Sequence, residues 1–302
     1  MNHTGELAAL LTAFFWTITA VTFEAASRKI GSMVVNILRL IIGFVFLSVF
    51  AFFYRGYLFP ADASLQNWLW LSLSGLIGFT FGDLCLFQSF VLIGARVSML
   101  IMALAPPMTA FIAYFVLGEK LSLQSWIGMA VTMTGIALVV LRSNGNSEKT
   151  GIFNSLRLSY PVWGLVLAFG GAVGQALGLV LSKVGMHDYD TFASTQIRVM
   201  AGTAGFIVIY SFMGKWKDVM RGVIQAKSMA LLSVGAFFGP FLGVSFSLIA
   251  IKYASTGIAS TIMAIVPVLI IPPSIILYKE KVRLKEIAGA ILAVIGVAIF
   301  FL

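Results

Sequence analysis

The sequence predicts an all-α integral membrane protein with ten transmembrane helices, arranged as two inverted five-helix repeats around a central cavity. Three observations support this fold class: the composition, the spacing of the apolar segments and an internal repeat. Of the 302 residues, 60% are hydrophobic and 10% are charged, and the mean hydropathy is +1.02. Soluble domains carry roughly 25% charged residues, so the composition indicates a multi-pass protein of the cell membrane.

The same composition argues against several other classes of protein. The net charge is +9, but the basic residues are spread through short connectors and form no stripe that would bind nucleic acid. The single cysteine, Cys85, and the two histidines, His3 and His187, supply neither a metal site nor a nucleophile with its base. We therefore expect no enzyme, no metal and no cofactor. No Lys or Arg precedes Arg28, so the first apolar segment is expected to be a mature helix rather than a signal peptide.

The apolar segments have the length of membrane-crossing helices, which need about 20 residues. Ten spans are predicted, numbered in chain order: Leu7–Ala26, Met33–Phe53, Trp68–Leu92, Val97–Leu117, Leu123–Leu141, Val162–Ser182, Phe192–Met213, Met229–Ala250, Thr256–Leu277 and Glu286–Leu302. The longest connector, 142–161, is polar and rich in Gly, Asn and Ser. It is predicted to link a first five-helix domain, 1–141, to a second, 162–302.

The two predicted domains are similar in sequence. Residues 98–141 align without a gap with residues 259–302, and eleven of the 44 positions are identical. The identities that are not generic apolar matches are Pro106 with Pro267, Glu119 with Glu280, Lys120 with Lys281, Gly128 with Gly289 and Gly135 with Gly296. A shift of 159 residues also aligns Arg39 with Arg198. The sequence therefore predicts an internal duplication.

The charges of the connectors predict how the duplicated halves are oriented. Five spans per half is an odd number, so the second half must enter the membrane from the opposite side, as in many secondary transporters. Connectors after odd-numbered spans carry 14 Lys and Arg residues, and those after even-numbered spans carry 4. Cytoplasmic connectors are enriched in these residues. Both chain termini are therefore predicted to lie outside the cytoplasm.

Several segments together resemble a known family. They are PPMTAFIAYFVLGEKLSLQSWIGMAVTMTGIALVVL (106–141), PVLIIPPSIILYKEKVRLKEIAGAILAVIGVAIFF (267–301), PVWG (161–164) and NILRLIIGF (36–44). The first two share a proline, a glutamate thirteen residues later and two glycines in the last helix. In this order, and in two copies, they resemble the EamA-type transporters of the drug/metabolite transporter superfamily over nearly the whole chain.

The resemblance implies a ten-helix bundle around a central cavity, lined mainly by helices 1, 3, 4, 6, 8 and 9, with helices 5 and 10 to the side. It also implies export of amino acids or other small metabolites, or transport of drugs or nucleotide-type compounds. Many ten-helix relatives are expected to have cytoplasmic termini, whereas the connector charges predict the opposite orientation here. The residues that open the two halves also differ, FGGAVGQALGLVLSK in the second against TAFFWTITAVTFEAA in the first, so the two halves are expected to line the cavity differently.

Asp83 is the first candidate for a functional residue. It lies near the middle of the third span, in GFTFGDLCLF, with no basic residue close to it in sequence. A charge at this depth is expensive, so it must face the bundle interior, find a partner or become neutral. We predict that Asp83 faces an aromatic cavity with Phe79, Phe87 and Phe90, and that it couples transport to protons or binds a cationic group. The alternative is a buried aspartate that serves only helix packing.

Glu24 is a second candidate, near the end of the first span. It lies four residues before Arg28, so an ion pair with Arg28 or Arg39 is the alternative to a coupling role. The other candidates are sorted by expected role. Further candidates for substrate binding are Trp16, Thr17, Gln88, Gln175 and Ser247. Helix bends that contribute to gating are predicted at Pro106 and Pro267. Structural roles are predicted for Glu119, Glu280, Arg39 and Arg198.

Rows of glycine predict close contact between helices. Gly170, Gly174 and Gly178 recur every fourth residue, as do Gly78 and Gly82, and this spacing places bare backbone on one helix face. Packing is the expected role of these rows, with hinge motion as the alternative.

The function predicted from the sequence is secondary active transport, with export as the expected direction, of a small organic metabolite or drug by alternating access. Proton coupling is one option. A channel, a lipid-handling protein and a non-transporting membrane protein are the alternatives, although no filter or re-entrant motif is visible. The expected partners are a small-molecule solute and membrane lipid, and the sequence is compatible with a monomer or a homodimer.

Overall fold

The computed structural model describes residues 4–118, 123–143, 156–158, 160–278 and 283–299. Within these residues the chain is almost entirely helical. The helices are α1 (Thr4–Ile30), α2 (Ser32–Arg55), α3 (Leu65–Gly75), α4 (Asp83–Met102), α5 (Ala105–Leu117), α6 (Leu123–Val140), α7 (Val162–Met186), α8 (Thr191–Met213), α9 (Trp216–Ile224), α10 (Ala226–Ala236), α11 (Val244–Tyr253), α12 (Thr256–Met263), α13 (Val266–Leu269), α14 (Ile271–Tyr278) and α15 (Leu284–Ala298). Two short strands, β1 (Leu141–Ser143) and β2 (Leu156–Leu158), pair antiparallel.

Seven helical stretches are long and apolar enough to cross a membrane. They are Thr4–Ile30, Ser32–Arg55, Leu65–Met102, Val162–Met186, Thr191–Met213, Ala226–Tyr253 and Thr256–Pro273. Large apolar side chains such as Phe53, Phe115 and Phe212 are exposed on the outer surface. Exposure of such side chains to lipid has no free-energy cost, whereas their exposure to water is unfavourable. The protein is therefore a multi-pass membrane protein.

Two of these stretches contain a π-helical segment. Leu76–Gly82 joins α3 to α4, and Phe237–Gly243 joins α10 to α11. In a π-helix each turn holds an extra residue, so the helix faces before and after the segment are rotated relative to each other. The second segment contains Pro240, whose missing N–H would break the hydrogen-bond ladder of an ordinary α-helix. Asp83 is the first residue after the first segment, and the apolar pattern of the sequence did not predict this change of register.

The stretch Leu65–Met102 is interrupted at one residue. Gly94 has φ 80° and ψ 155°, a backbone conformation that glycine adopts far more readily than other residues, so the chain turns there. The turn lies in the short predicted connector between the third span, Trp68–Leu92, and the fourth span, Val97–Leu117. The helix that follows the turn is interrupted again between α4 and α5.

The helices of one half pack against helices of the other half in reciprocal pairs. Helix α7 lies against α3, α4 and the first π-helical segment, whereas α1 lies against α10, α11 and the second segment. Helices α2 and α8 pack together, as do α6 and α15. The main interface of the fold is therefore between the two halves of the chain.

The glycine rows allow backbone contact at this interface. A Cβ atom on Gly174 would lie 2.5 Å from the Cα of Gly82, and a Cβ atom on Gly178 would lie 3.2 Å from the Cα of Gly78. The backbones of α7 and the first π-helical segment thus touch where side chains would separate them. Such close approach increases the dispersion contacts that hold helices together in lipid.

Two elements lie in regions that the sequence analysis treated as connectors. Helix α9 is amphipathic: it buries Val219 and Gly222 and exposes Lys217 and Arg221. The pairing of β1 with β2 begins at the end of the fifth predicted span and continues into the predicted linker 142–161. Glu119 and Glu280, predicted as structural residues, lie outside the described residues.

We expect Gly174→Ala to destabilise the protein. The added methyl group meets the Gly82 backbone, which has no flexible side chain to move aside, and overpacking of this kind costs about 1–3 kcal/mol. The measurement is the midpoint of thermal unfolding in detergent. Gly257→Ala is the matched control, because its Cβ would meet Ala110 at an ordinary 3.9 Å. Equal unfolding midpoints for the two variants would contradict close packing at Gly174.

Candidate functional site

A cavity lies between the two halves of the chain. About 100 Å³ of it is open to the centres of water-sized molecules, and one water needs ~10–15 Å³ by this measure, so a small organic solute fits. The wall is mostly apolar. Its polar and charged side chains, among the described residues, are Thr19, Arg39, Asp83, Gln175 and Ser260, with Trp16 adding an indole N–H.

An ion pair forms part of this wall. Nη2 of Arg39, from α2, donates a hydrogen bond to Oδ2 of Asp83, the first residue of α4. The side chain of Arg39 is 4% exposed and that of Asp83 16% exposed. Asp83 therefore has a partner, which is one of the three outcomes expected for an acid at this depth, and the partner comes from a helix 44 residues earlier in the chain.

Asn36 fixes the geometry of the pair. Its Oδ1 accepts a hydrogen bond from Nε of Arg39 at 3.1 Å, and its Nδ2 donates to the backbone carbonyl of Asp83 at 3.1 Å. Asn36 lies three residues before Arg39, on the same face of α2. This asparagine was absent from the predicted site residues. The sequence feature that could have identified it is its position three residues before Arg39 in an apolar segment. A buried amide there is costly unless it finds hydrogen-bond partners.

Aromatic rings surround the guanidinium of Arg39. Its Cζ lies 4.6 Å from the ring centre of Phe87 and 5.7 Å from those of Phe23 and Phe79. Phe79, Phe87 and Phe90 line the cavity beside Asp83. Ring faces attract a cation and exclude water, so the charge is held in surroundings that strengthen its interactions with anions.

A second arginine lies behind this wall. Arg198 of α8 is buried, and its Cζ lies 4.9 Å from the ring centre of Phe79. Its Nε is buried and makes no hydrogen bond with a described residue. A Cβ atom on Gly78 or Gly178 would lie 3.4 Å or 3.5 Å from its Nη2, so the guanidinium rests on bare backbone. Its positive charge also acts on Asp83.

The other predicted site residues divide into two groups. Trp16 and Gln175 line the cavity. Four others are engaged elsewhere: Thr17 donates to the carbonyl of Ala13 at 2.8 Å, Ser247 donates to that of Val244 at 2.7 Å, Gln88 accepts from Ser32, and Glu24 pairs with Arg28 at 2.8 Å. These four are not among the lining residues. Thr17 and Ser247 satisfy carbonyls of their own helices, Gln88 bonds to another helix, and Glu24 pairs with an arginine on its own helix.

Pro106 and Pro267 line the cavity, but neither bends a continuous helix. Pro106 lies in the first turn of α5, after a break that follows Met102, and Pro267 lies in the first turn of α13, after a break that follows Met263. A proline in the first turn costs no hydrogen bond, because that N–H has no helical partner. The predicted bends are therefore helix breaks at the cavity.

A second buried ion pair joins the two halves. Nη1 of Arg96, from α4, donates to Oε2 of Glu286 in α15 at 2.5 Å. Both side chains are largely buried, beside a small second cavity that shares Pro267 with the first. The pair was not predicted from the sequence, because its members are 190 residues apart and lie in a predicted connector and at the start of a predicted span.

A third ion pair lies outside the membrane-spanning segments. Asp62 pairs with Arg55 and accepts a hydrogen bond from the hydroxyl of Tyr189 at 2.9 Å. Burial opposes the charge of Asp62, but these two partners outweigh it and lower the pKa of Asp62. Burial raises the pKa of Tyr189 to about 12. This cluster ties the connector after α2 to the connector after α7.

The sequence is similar to those of a known transporter family and to those of individual relatives. The sequence profile of the EamA-like transporter family matches residues 3–141 and 162–302. An uncharacterized transporter of Clostridium kluyveri is 24% identical over 184 residues, which are 61% of this chain and 56% of that protein. The uncharacterized transporter YyaM of Bacillus subtilis is 26% identical over 198 residues, 66% of this chain and 61% of that protein. These matches span about three fifths of the length of either relative.

Two further matches cover almost the whole length of the similar protein. An uncharacterized transporter of a Sinorhizobium species is 28% identical over 142 residues, which are 47% of this chain and 99% of that protein. A solved crystal structure matches 99% of this chain and 96% of its own, with a TM-score of 0.70 and 15% sequence identity. At that identity the structure supports the fold alone.

We expect Asp83→Asn to destabilise the protein more than Asp62→Asn. The first change leaves Arg39 buried without its counter-charge, which costs about 3–5 kcal/mol. The second removes a partner that is 45% exposed, and pairs at such positions contribute about 0–1 kcal/mol. Thermal unfolding in detergent measures both, and Asp83→Asn combined with Arg39→Gln should recover part of the loss. Equal effects of the two single variants would contradict a buried pair.

Proposed function

The chain belongs to the EamA-like transporter family, and we propose that it is a secondary active transporter that exports a small organic solute across the cell membrane by alternating access. Membership of the family points to a transporter rather than an enzyme. The observation that carries the proposal is a cavity walled by residues of both matched halves, with an ion pair inside the wall. Solute sites of inverted-repeat transporters lie where the halves meet.

We further propose that the chain crosses the membrane ten times, as two inverted halves of five crossings. The two π-helical segments, 76–82 and 237–243, are separated by the same 161 residues that align the repeated sequence. Helices α2 and α8 begin 159 residues apart, the shift that aligns Arg39 with Arg198. The family profile matches each half separately. The reciprocal packing of α7 on α3–α4 and of α1 on α10–α11 also supports a pseudo-two-fold relation.

The helix breaks provide a route to alternating access. Two-residue turns separate α4 from α5 and α12 from α13, and both breaks adjoin the cavity. At these turns Leu104 donates to the carbonyl of Ile101 and Ile265 to that of Ile262, and such bonds between residues three apart hold the helical pieces less firmly than an α-helical ladder, so one piece can tilt relative to the next. Pro106 and Pro267 keep each break in place because neither can donate to the preceding turn.

Asp83 is the proposed coupling residue. With Asp83 ionised, its pair with Arg39 joins α2 to α4; with Asp83 protonated, the charge attraction is lost and Arg39 is available to another anion. Protonation of one carboxyl group thus changes both the helix contact and the binding site. A carboxylate without a second function would be an expensive residue to keep in a membrane cavity.

The proposed orientation places both termini outside the cytoplasm. Lys215, Lys217 and Arg221 lie in the connector that holds α9 and Lys227 lies at the start of α10, and this cluster supports a cytoplasmic position for that end of the molecule. The opposite connector, between α2 and α3, contains no Lys or Arg, and Arg55, the last residue of α2, is paired with Asp62.

Transport is tested with purified protein in liposomes that contain a trapped pH-sensitive dye. A panel of anionic, cationic, zwitterionic and neutral solutes is applied with and without a pH gradient. We expect saturable uptake of at least one solute, driven by the gradient. Asp83→Asn should abolish gradient-driven uptake yet keep exchange of labelled for unlabelled solute, because exchange moves no net proton. Asp62→Asn is the control and should retain both activities.

Two results would count against these roles. Gradient-driven uptake by Asp83→Asn with unchanged pH dependence would make Asp83 a packing residue. Folded protein that moves no solute of any charge class would contradict transport itself.

The orientation is tested by cysteine labelling in a Cys85→Ser background. Ala61 and Ala226 are exposed alanines at the connectors on the two proposed sides. An impermeant maleimide should label Ala61→Cys in intact cells and should label Ala226→Cys only after the membrane is opened. The reverse pattern would place both termini in the cytoplasm.

A further inference from the structure

The buried charges around the cavity do not cancel. The charged residues among the described lining are Arg39 and Asp83, which neutralise each other. Arg198 adds a second positive charge near the same Phe79 ring, at 4.9 Å from its centre against 5.7 Å for Arg39. Glu24, the other buried acid nearby on α1, is paired with Arg28. The region therefore holds one more positive charge than negative charge.

The internal duplication explains the surplus. Arg39 and Arg198 are equivalent under the 159-residue shift, so each half contributes one buried arginine. The position equivalent to Asp83 under the 161-residue shift is Val244, so one half alone contributes an acid. No described carboxylate lies within ion-pair distance of Arg198. A buried cation that lacks an anionic partner is costly in a medium of low polarity, and an anion bound nearby would offset that cost.

Arg39 has donors left for such an anion. Its guanidinium carries five N–H groups, and within the described part of the chain two of its nitrogens make hydrogen bonds: Nε to Asn36 and Nη2 to Asp83. The remaining donors belong to a side chain that lines the cavity. Two parallel N–H groups of a guanidinium match the two oxygens of a carboxylate.

The rest of the cavity fits an apolar body. Phe87 and Phe90 stack with ring centres 5.3 Å apart, and Trp16, Met99 and Met263 complete the wall. Aromatic and thioether side chains accommodate flat rings and alkyl chains without hydrogen bonds. A highly hydrated anion would lose its water here with little in return.

From these observations, and resting on the proposed transport function, we infer that the solute is a small organic carboxylate with an apolar body and a net negative charge. Its carboxylate binds Arg39, and Arg198 acts through Phe79 as a positioning charge that raises the affinity for anions. This inference disfavours the role of Asp83 in binding a cationic group. Asp83 instead competes with the solute for Arg39, so protonation of Asp83 favours binding of the anion and the two cross the membrane together; export then follows an outward gradient of the solute.

Three probes of one shape test the charge preference: benzoate, benzamide and benzamidine. Each has a ring and a planar head group, and at neutral pH they are an anion, a neutral molecule and a cation. Calorimetric titration of the purified protein in detergent measures their affinities. We expect benzoate to bind at least about tenfold more tightly than either of the others. Equal or tighter binding of benzamide or benzamidine would overturn the inference.

Variants of the two arginines test their roles. Arg39→Gln should lower the affinity for benzoate by about tenfold or more and leave that for benzamide unchanged. Arg198→Gln should reduce the ratio of benzoate to benzamide affinity, and Arg198→Lys should restore it because the charge is retained. A purely structural role would change both affinities together. Arg55→Gln is the control, since that arginine is paired with Asp62 and does not line the cavity. An unchanged ratio in Arg39→Gln would overturn the inference.

These results are separable from the test of transport. Tight binding of benzamidine alone would overturn the charge preference and leave the transporter proposal standing. Preferential binding of benzoate by a protein that moves no solute in liposomes would contradict transport and support the charge preference.

Discussion

The ion pair between Arg39 and Asp83 is the interaction on which the site depends. Lipid surroundings offer a buried charge no water, so each member of the pair needs the other. Meeting this need fixes α2 against α4, and Asn36 adds a hydrogen bond to the backbone of Asp83 while it orients Arg39 on its own helix. The cavity lies beside the pair. The N–H groups of Arg39 and the carboxylate oxygens of Asp83 that make no hydrogen bond within the pair determine how polar the cavity is.

Backbone contact at the glycine rows is the second constraint. Helices in lipid gain nothing from hydrophobic burial against each other, so close packing and internal hydrogen bonds must hold them. Gly174 against Gly82 brings α7 to the first π-helical segment, and that segment changes the helix register immediately before Asp83. The seven residues Leu76–Gly82 therefore link two features: the contact between the halves and the direction in which the Asp83 carboxylate points.

The two helix breaks separate the tight part of the molecule from the part that can move. Helices α3, α7 and α8 meet along bare backbone and around Arg198, where a shift would open gaps in a closely packed interior. At the cavity, the short helices α5, α12 and α13 begin or end at two-residue turns, with a proline soon after each turn. A rigid interface next to interrupted helices is the arrangement that the proposed alternating access requires.

The sequence by itself determined the membrane environment, the family and the approximate limits of the helices, because hydropathy and repeat spacing are local and periodic. It also identified Asp83, Arg39, Trp16, Gln175, Pro106 and Pro267 as notable residues, all of which line the cavity. Only the tertiary structure decided that Asp83 has Arg39 as its partner, that Arg96 meets Glu286, and that Thr17, Gln88 and Ser247 are engaged elsewhere. The physical reason is that helix periodicity gives the spacing of residues along one face, whereas partners on different helices depend on how the faces are rotated. Here the π-helical segments and glycine contacts set that rotation.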